Sequence, residues 1–428
     1  MPTSTLELPV PGPRSHEKYD HLIATARALP KLKVAVAHPC DEAALVAVLE
    51  AAELGIIEPI LVGAQAKVEA AAAALGADIS SFRLCEAAHS HEAAERAVAL
   101  TRTGEAEALM KGSLHTDELM AAVVRREGGL RTARRLSHCY VMDVPSHPTP
   151  LIVTDAAVNI APSLDEKRDI TQNAIDLARA LGVETVRVAI LSAMETVNPK
   201  LISTLDAAAL CKMADRGQIT GAVLDGPLAL DNAINLGAAQ IKKIHSPVAG
   251  RANVLVVPDL VAGNILAKSL TFLAGADAAG IVLGARVPII LTSRADARLT
   301  RLASCAVASL VAVAERARRV LGLGDDLRPQ RRLIEPQGPG LRNRRDRGAA
   351  RAGILGSVSW AARPGRSPLS TGLPTCRAVP RAAARLPPCR PDHPYGRGTD
   401  DRAQRARRTA PDPASTDLTS NGSPRWKR

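Results

Sequence analysis

The chain has 428 residues, 46% of them hydrophobic, enough for two or three domains with real cores. Its net charge of +12 is confined to one end: residues 321–428 hold 22 Lys and Arg, 21 of them Arg, against 9 acids, while residues 1–320 hold 33 basic and 34 acidic residues. That distribution excludes a basic nucleic-acid-binding core. The seven scattered cysteines (40, 85, 139, 211, 305, 376, 389) form no Cys-x-x-Cys pair, which argues against a disulfide framework or a zinc site.

Met1 to Asp20 is polar and Pro-rich, without the apolar stretch of a secretory leader. No apolar run approaches the roughly 18 residues of a membrane helix, so a soluble, cytoplasmic protein is expected. From Lys31 onward, short apolar runs alternate with Ala/Leu-rich stretches of helical spacing. Strands are expected at Leu32–Ala37, Ile57–Val62, Ala106–Met110, His138–Val144, Leu151–Thr154, Val186–Leu191, Ile219–Leu224, Asn253–Val257, Gly280–Leu283 and Val287–Leu291. Helices are expected at Asp41–Leu54, His91–Arg102, near Asp117, Asp165–Leu181, Leu201–Met213, Asp259–Leu273 and Asp296–Arg319. Such alternation predicts largely parallel sheets covered on both faces by helices. No helix separates the strands flanking Pro145–Pro150, which places a domain crossover there. The expected domains are 15–146 with 297–320, and 147–296.

After about Leu323 the alternation stops. Arg, Pro, Ala and Gly dominate, and fourteen of the thirty prolines fall in this quarter. A stretch of this composition cannot bury enough apolar surface to offset its ordering entropy, so 321–428 is expected to be a disordered tail. The abrupt change toward residues with GC-rich codons motivates the hypothesis of an altered reading frame, which resequencing around codon 320 decides.

Polar clusters follow the predicted strands, where parallel α/β sheets bind ligands. Lys111-Gly112-Ser113 precedes a helix; Lys111, backbone N–H groups and the helix N-terminus suit an anion, though a tight capped turn explains the same residues. No phosphate-binding or dinucleotide glycine motif is present. Ser192 and Glu195 follow the next such strand, before Asn198-Pro199, which reads as ordinary helix-start chemistry. Asp225-Gly226-Pro227 reads as a strand end and a sharp turn, with Asp231 as a helix cap. Arg251, Asp259 and Asn264 bracket a buried strand among small residues, suggesting close approach of a large ligand. Thr292-Ser293-Arg294-Ala295-Asp296 delivers a phosphate-binding guanidinium, a hydroxyl for an oxyanion and a carboxylate for orientation or proton transfer.

Taken in order, Lys111–Thr116, Glu195–Pro199, Gly226–Ala233, Ser246–Asn253, Val257–Asn264 and Thr292–Asp296 resemble the phosphate acetyl/butyryltransferase family. The resemblance covers about residues 30–320. It implies a two-domain α/β/α fold similar to isocitrate and isopropylmalate dehydrogenases, with the site in the interdomain cleft of a homodimer. It also implies reversible transfer of a short acyl group between CoA and inorganic phosphate, CoA being a substrate, with no metal, cofactor, specific nucleic acid or membrane partner. Ser293 and Arg294 fall on the family's Ser-Arg pair. Asp296 follows after two residues, whereas acetyl-specific members place an aspartate further on. The competing readings are a metal-dependent dehydrogenase of similar fold using Asp225 and Asp259, a nonspecific nucleic-acid binder acting through the tail, and a catalytically impaired family member.

Overall fold

The computed structural model describes residues 16–292 and 296–321. The expected tail and the pair Ser293 and Arg294 lie outside the described residues. In chain order the first elements are α1 (Glu17–Arg27), β1 (Leu32–Ala37), α2 (Glu42–Glu53), β2 (Ile57–Gly63), α3 (Gln65–Ala74), β3 (Arg83–Glu86), α4 (Ser90–Thr103), β4 (Ala108–Lys111) and α5 (Thr116–Val123). A central pair, β5 (Ser137–Asp143) and β6 (Leu151–Thr154), leads into α6 (Leu164–Ala180), β7 (Arg187–Leu191), α7 (Ile202–Asp215) and β8 (Val223–Leu228). The last elements are α8 (Leu230–Ile234), α9 (Leu236–Ile241), β9 (Val254–Val256), α10 (Leu260–Phe272), β10 (Asp277–Leu283), β11 (Ile289–Ile290) and α11 (Arg298–Val320).

The strands form one sheet in the order β3-β2-β1-β4-β11-β10-β5-β6-β9-β7-β8. All pairings are parallel except the three involving β10 or β5 in the middle: β11 with β10, β10 with β5, and β5 with β6. The two expected parallel sheets are therefore joined into one, and the strands on either side run in opposite senses. One large apolar cluster, built on the face covered by α1, α2, α6, α7 and α11, spans the whole sheet. The opposite face carries two separate clusters, one over β1, β2, β4 and β11 and one over β6, β7 and β9. No described helix is long and apolar enough to cross a membrane.

Local chemistry explains most boundaries. Asp41 caps α2 by accepting the Ala44 N–H at 2.8 Å, and Ser163 with Glu166 forms a reciprocal capping box on α6. Strand β8 begins four residues later than the alternation predicted and runs through Asp225, Gly226 and Pro227. Gly221 takes φ +87°, which turns the chain before any strand can start. Pro227 is tolerated in β8 because that strand is the sheet's edge, where a missing N–H breaks no central ladder. Asn198 does not cap α7, which starts at Ile202; its side chain closes a turn on the Lys200 N–H instead. Asp231 lies in the first turn of α8 rather than capping it, paired with Lys242 at 3.3 Å.

Helix α1 clamps the central antiparallel pair. The fully buried Tyr19 hydroxyl donates to the Val141 carbonyl of β5 at 2.5 Å and accepts the Ala279 N–H of β10 at 2.7 Å. Lys18 adds an ion pair to the buried Asp143 at 2.6 Å and a bond to the Val144 carbonyl. Tyr19→Phe keeps the ring but removes both hydrogen bonds from buried backbone groups. It is expected to lower unfolding free energy by about 1–3 kcal/mol, measured by urea denaturation.

Candidate active site

The two sets of oppositely running strands end against the same line of residues. Met110, Ile290, Ile281, Cys139, Thr154, Val256 and Ile190 are register partners across seven neighbouring strands. Lys111 and Leu291-Thr292 leave the sheet on one side of this row; Asp155, Val257 and Leu191-Ser192 leave it on the other. Only β5 and β10 run well past it in both directions. A crevice flanked by strand carboxyl ends of both sets results, the arrangement in which open α/β sheets take ligands.

Its floor lies between the two separate apolar clusters. His138 and Tyr140 of β5 project on that face, since side chains alternate along a strand and Cys139 and Val141 point into the large cluster opposite. Their rings meet edge to face with centroids 4.3 Å apart. Gly280 of β10 lies beneath: a Cβ there would come within 2.6 Å of the Leu291 carbonyl and 3.0 Å of His138 Nε2. His138 is 1% exposed and its Nδ1 has no partner among the described residues. Burial pushes its pKa well below the ordinary value, against the pull of the Asp155 charge, so the imidazole is neutral. The Tyr140 phenol is raised by burial, then by the charges of Asp296 and Asp155, and stays protonated as a donor.

Asp155 supplies the crevice's most fully bonded carboxylate. It is 2% exposed and accepts the N–H groups of Ala157, Val158 and Asn159 at 2.9, 3.0 and 3.2 Å, together with Asn159 Nδ2 at 2.5 Å. Four donors stand in for lost water, which allows a carboxylate to remain in so dry a position. Asn264 Nδ2 reaches the Ala156 carbonyl next door at 3.4 Å, and Gly263 presses against the Asp155 carbonyl. Asp259 starts the same helix, capping α10 through the Ala262 N–H at 2.9 Å. Capping thus accounts for Asp259 alone, while Asn264 bonds the loop that follows β6.

Lys111, Gly112 and Ser113 line a small depression together with Asp41, Thr292 and Arg301. Lys111 is buried, with Nζ on the Gly112 carbonyl at 3.1 Å. The expected cradle of free N–H groups is not formed at Gly112 and Ser113. Their N–H groups donate to the carbonyls of Ala37 and His38 at 2.9 Å each. Glycine is required at 112 for a different reason, because a Cβ would stand 2.5 Å from both of those oxygens. Ser113 Oγ also donates to the His38 carbonyl at 2.7 Å. The charge that this segment carries is the Lys111 ammonium.

The remaining predicted residues lie further along. Ser192 Oγ shares a hydrogen bond with Ser203 Oγ at 2.8 Å, and Glu195 holds Asn232 Nδ2 and Lys242 Nζ, the latter at 3.0 Å. Arg251 is exposed just before β9. Asp225 stands within the edge strand, bonded to the Gly226 N–H at 2.8 Å and neighbouring Cys211 of α7. From β4 to β7 is six strand spacings, so Lys111 and Glu195 flank a crevice about 30 Å long, and Asp225 lies one strand beyond it. Burial drives the thiols of Cys139, Cys211 and Cys305 up to about 12, so none of them offers a thiolate at neutral pH.

Sequence reasoning missed His138, Tyr140 and Asp155. A usable signal existed: Ser137-His-Cys-Tyr140 puts polar groups into a central strand that apolar residues ordinarily fill. Because the folded pKa of His138 lies below its unfolded value, its contribution to stability is present above about pH 6.5 and is lost as pH falls below that. A His138→Leu variant is expected to show a shallower loss of stability between pH 6.5 and 4.5 than the parent, read from chemical denaturation across that range.

Comparison with known proteins places this architecture. Residues 86–309 match the family described as Phosphate acetyl/butaryl transferase. The chain is 62% identical over 308 residues to a phosphate acetyltransferase of Rhizobium meliloti, covering 72% of this chain and 98% of that protein. It is 40% identical over 296 residues to a phosphate butyryltransferase of Clostridium acetobutylicum, covering 69% of this chain and 98% of that one. Among solved structures, a branched-chain phosphotransacylase from Enterococcus faecalis superposes with a TM-score of 0.58 at 29% identity, over 66% of this chain and 99% of its own. A match over nearly the whole length of such relatives, on a sheet whose strand ends converge as described, means that the chain belongs to the phosphate acetyl/butyryl transferase family.

Proposed function

We propose that this protein is a phosphate acyltransferase that moves a short acyl group reversibly between CoA and inorganic phosphate within a ternary complex. The observation that carries the reading is the 62% identity to a protein named phosphate acetyltransferase along 98% of its length. The crevice supports it, since a ligand as extended as CoA needs a long groove and an acyl phosphate needs cations. The chain is read as two domains, 15–146 with 297–320 and 147–296, and the separate apolar clusters on either side of the crevice favour that division. A cytoplasmic location accords with these substrates.

In the thioester-forming direction the CoA sulfur attacks the acyl-phosphate carbonyl, the carbonyl–phosphate C–O bond breaks, and phosphate leaves. The thiol proton is balanced by protonation of the departing phosphate. Arg294 is assigned to the phosphate and Ser293 to the tetrahedral oxyanion, with Lys111 as a second cation and Gly112 and Ser113 holding its loop. Ser192, Glu195, Arg251, Asp259 and Asn264 are assigned to the long arm of CoA, and Asp225, on the edge strand, to its outer limit. Asp296 is poorly matched to a thiol near pKa 8.5, and a neighbouring arginine would lower its basicity further. It therefore orients Arg294. The nucleophile is the substrate's own sulfur, so the chemistry calls on neither an enzyme thiolate nor a metal.

The proposed homodimer rests on exposed apolar residues of α10 and its end. Val261, Ile265, Phe272 and Leu273 are 63%, 61%, 80% and 86% exposed. The spacing of Val261, Ile265 and Phe272 puts them on one face of the helix. Light scattering of the parent is expected to give a dimer, and Ile265→Asp with Phe272→Asp a monomer. A monomeric parent removes the proposal.

The function itself is tested by thioester formation from CoA and acetyl, propionyl and butyryl phosphates. Turnover is expected with at least one of them, and the chain-length preference should span roughly 10–200-fold per methylene at most. Arg294→Gln is expected to reduce kcat/KM about 100–1000-fold. Near-parental kinetics in that variant would reassign the phosphate site.

A further inference from the structure

On the sheet face away from the crevice, a cavity of about 380 Å³ lies between the C-terminal turns of α6 and α11 and the β10–β11 turn. Five arginines line it, Arg134, Arg179, Arg286, Arg318 and Arg319, against the carboxylates of Asp176 and Glu315. Asp176 is already shared, bonded to Arg134 at 2.6 Å and Arg318 at 3.0 Å. Arg319 donates to the Arg286 backbone carbonyl at 2.9 Å and approaches Glu315 only to 3.8 Å. Arg179 and Arg286 have no side-chain hydrogen bond or ion pair among the described residues. Helix-end electrostatics accounts for Arg179, Arg318 and Arg319, which occupy last turns where a cation complements the dipole. It does not account for Arg134 and Arg286, which come from loops and converge on the same space.

We propose that this cavity binds a compact polyvalent anion, gripped by Arg179 and Arg286 with Arg134 and Arg318 behind them. The lining carries three positive charges in excess, which matches an anion such as pyrophosphate or a tricarboxylate. Arginine forks hold oxyanions of either kind through paired hydrogen bonds. Among the described residues no aromatic side chain lines the cavity, and its arginines recognise the anionic group itself. Glycine at 221 assists: a Cβ there would stand 2.6 Å from Arg179 Nη1, so its absence leaves the guanidinium room at the rim. The site is distinct from the phosphate position proposed for catalysis, since α6 and α11 cover the face opposite His138 and Tyr140.

The test is calorimetric titration of the full chain with inorganic pyrophosphate and, separately, citrate, at constant ionic strength, with acetate as the monovalent control. The parent is compared with an Arg179→Gln/Arg286→Gln variant and with Arg286→Glu. Anion bound elsewhere on this basic chain, whether at residues 321–428 or in the crevice, is common to all three proteins and cancels. One binding event present in the parent is expected to weaken about 100-fold in both variants, with acyl transfer within about twofold of the parent because neither residue borders the crevice. Whether pyrophosphate or citrate shows the larger difference identifies the source of the charge. Indistinguishable isotherms in parent and variants for both anions, or an equal effect from acetate, overturn the proposal.

Discussion

The antiparallel pairing of β5 with β10 in the middle of an otherwise parallel sheet is the constraint on which the rest of the molecule depends. Seven register pairs, from Asp277 with Asp143 to Leu283 with Ser137, hold the two strands together. Because β11 and β6 flank them in opposite senses, the parallel sets on either side inherit opposite directions, and their carboxyl ends meet one row of residues. Had the sheet been parallel throughout, those ends would have lain along a single edge and not on both sides of one shared row. The clamp from Tyr19 and Lys18 of α1 therefore does more than cover a face. It ties the two strands that set the direction of every other one.

That geometry sets what the crevice floor can contain. Central strands need apolar residues on both faces, yet β5 turns a histidine and a tyrosine toward the crevice. The arrangement is tolerated because the imidazole is neutral, Gly280 leaves space beneath it, and Asp155 is surrounded by four donors. A crevice floored by the neutral His138 and the protonated Tyr140 suits a reaction in which negative charge moves from an attacking sulfur to a leaving phosphate and back. Gly112 shows the same economy of space, with its hydrogen gap set against two backbone oxygens so that the loop bearing Lys111 can lie flat on the loop after β1.

Much of the fold was legible because the strands of a covered parallel sheet are continuous apolar runs, as at Leu32–Ala37 and Leu151–Thr154. Strand β3 was not, since it is an edge strand of four partly exposed residues, Arg83–Glu86, with no apolar run to announce it. Helix α1 was hidden by the polar surroundings of Tyr19, whose one hydroxyl matters more than the helix's own pattern. At the site, Lys111, Asp259 and Asn264 were visible as polar residues following buried strands. Their local partners were not, because a cap and a ligand contact use the same residue type at the same position. His138 escaped notice because one polar residue inside a strand reads as an interruption until the register shows which face it occupies.

The sequence by itself determined the alternation of strands and helices, the charge division near residue 320, and the ordered motifs that mark the family, because each is a property of consecutive residues. Only the tertiary structure decided that the strands on the two sides run in opposite senses, that their ends share one row, and that His138, Tyr140 and Asp155 lie where they meet. It also decided that arginines from α6, α11 and two loops face one cavity. These depend on pairings between segments more than a hundred residues apart, such as Tyr140 with Gly280. Such pairings follow from which apolar faces can be buried together, and no local pattern records them.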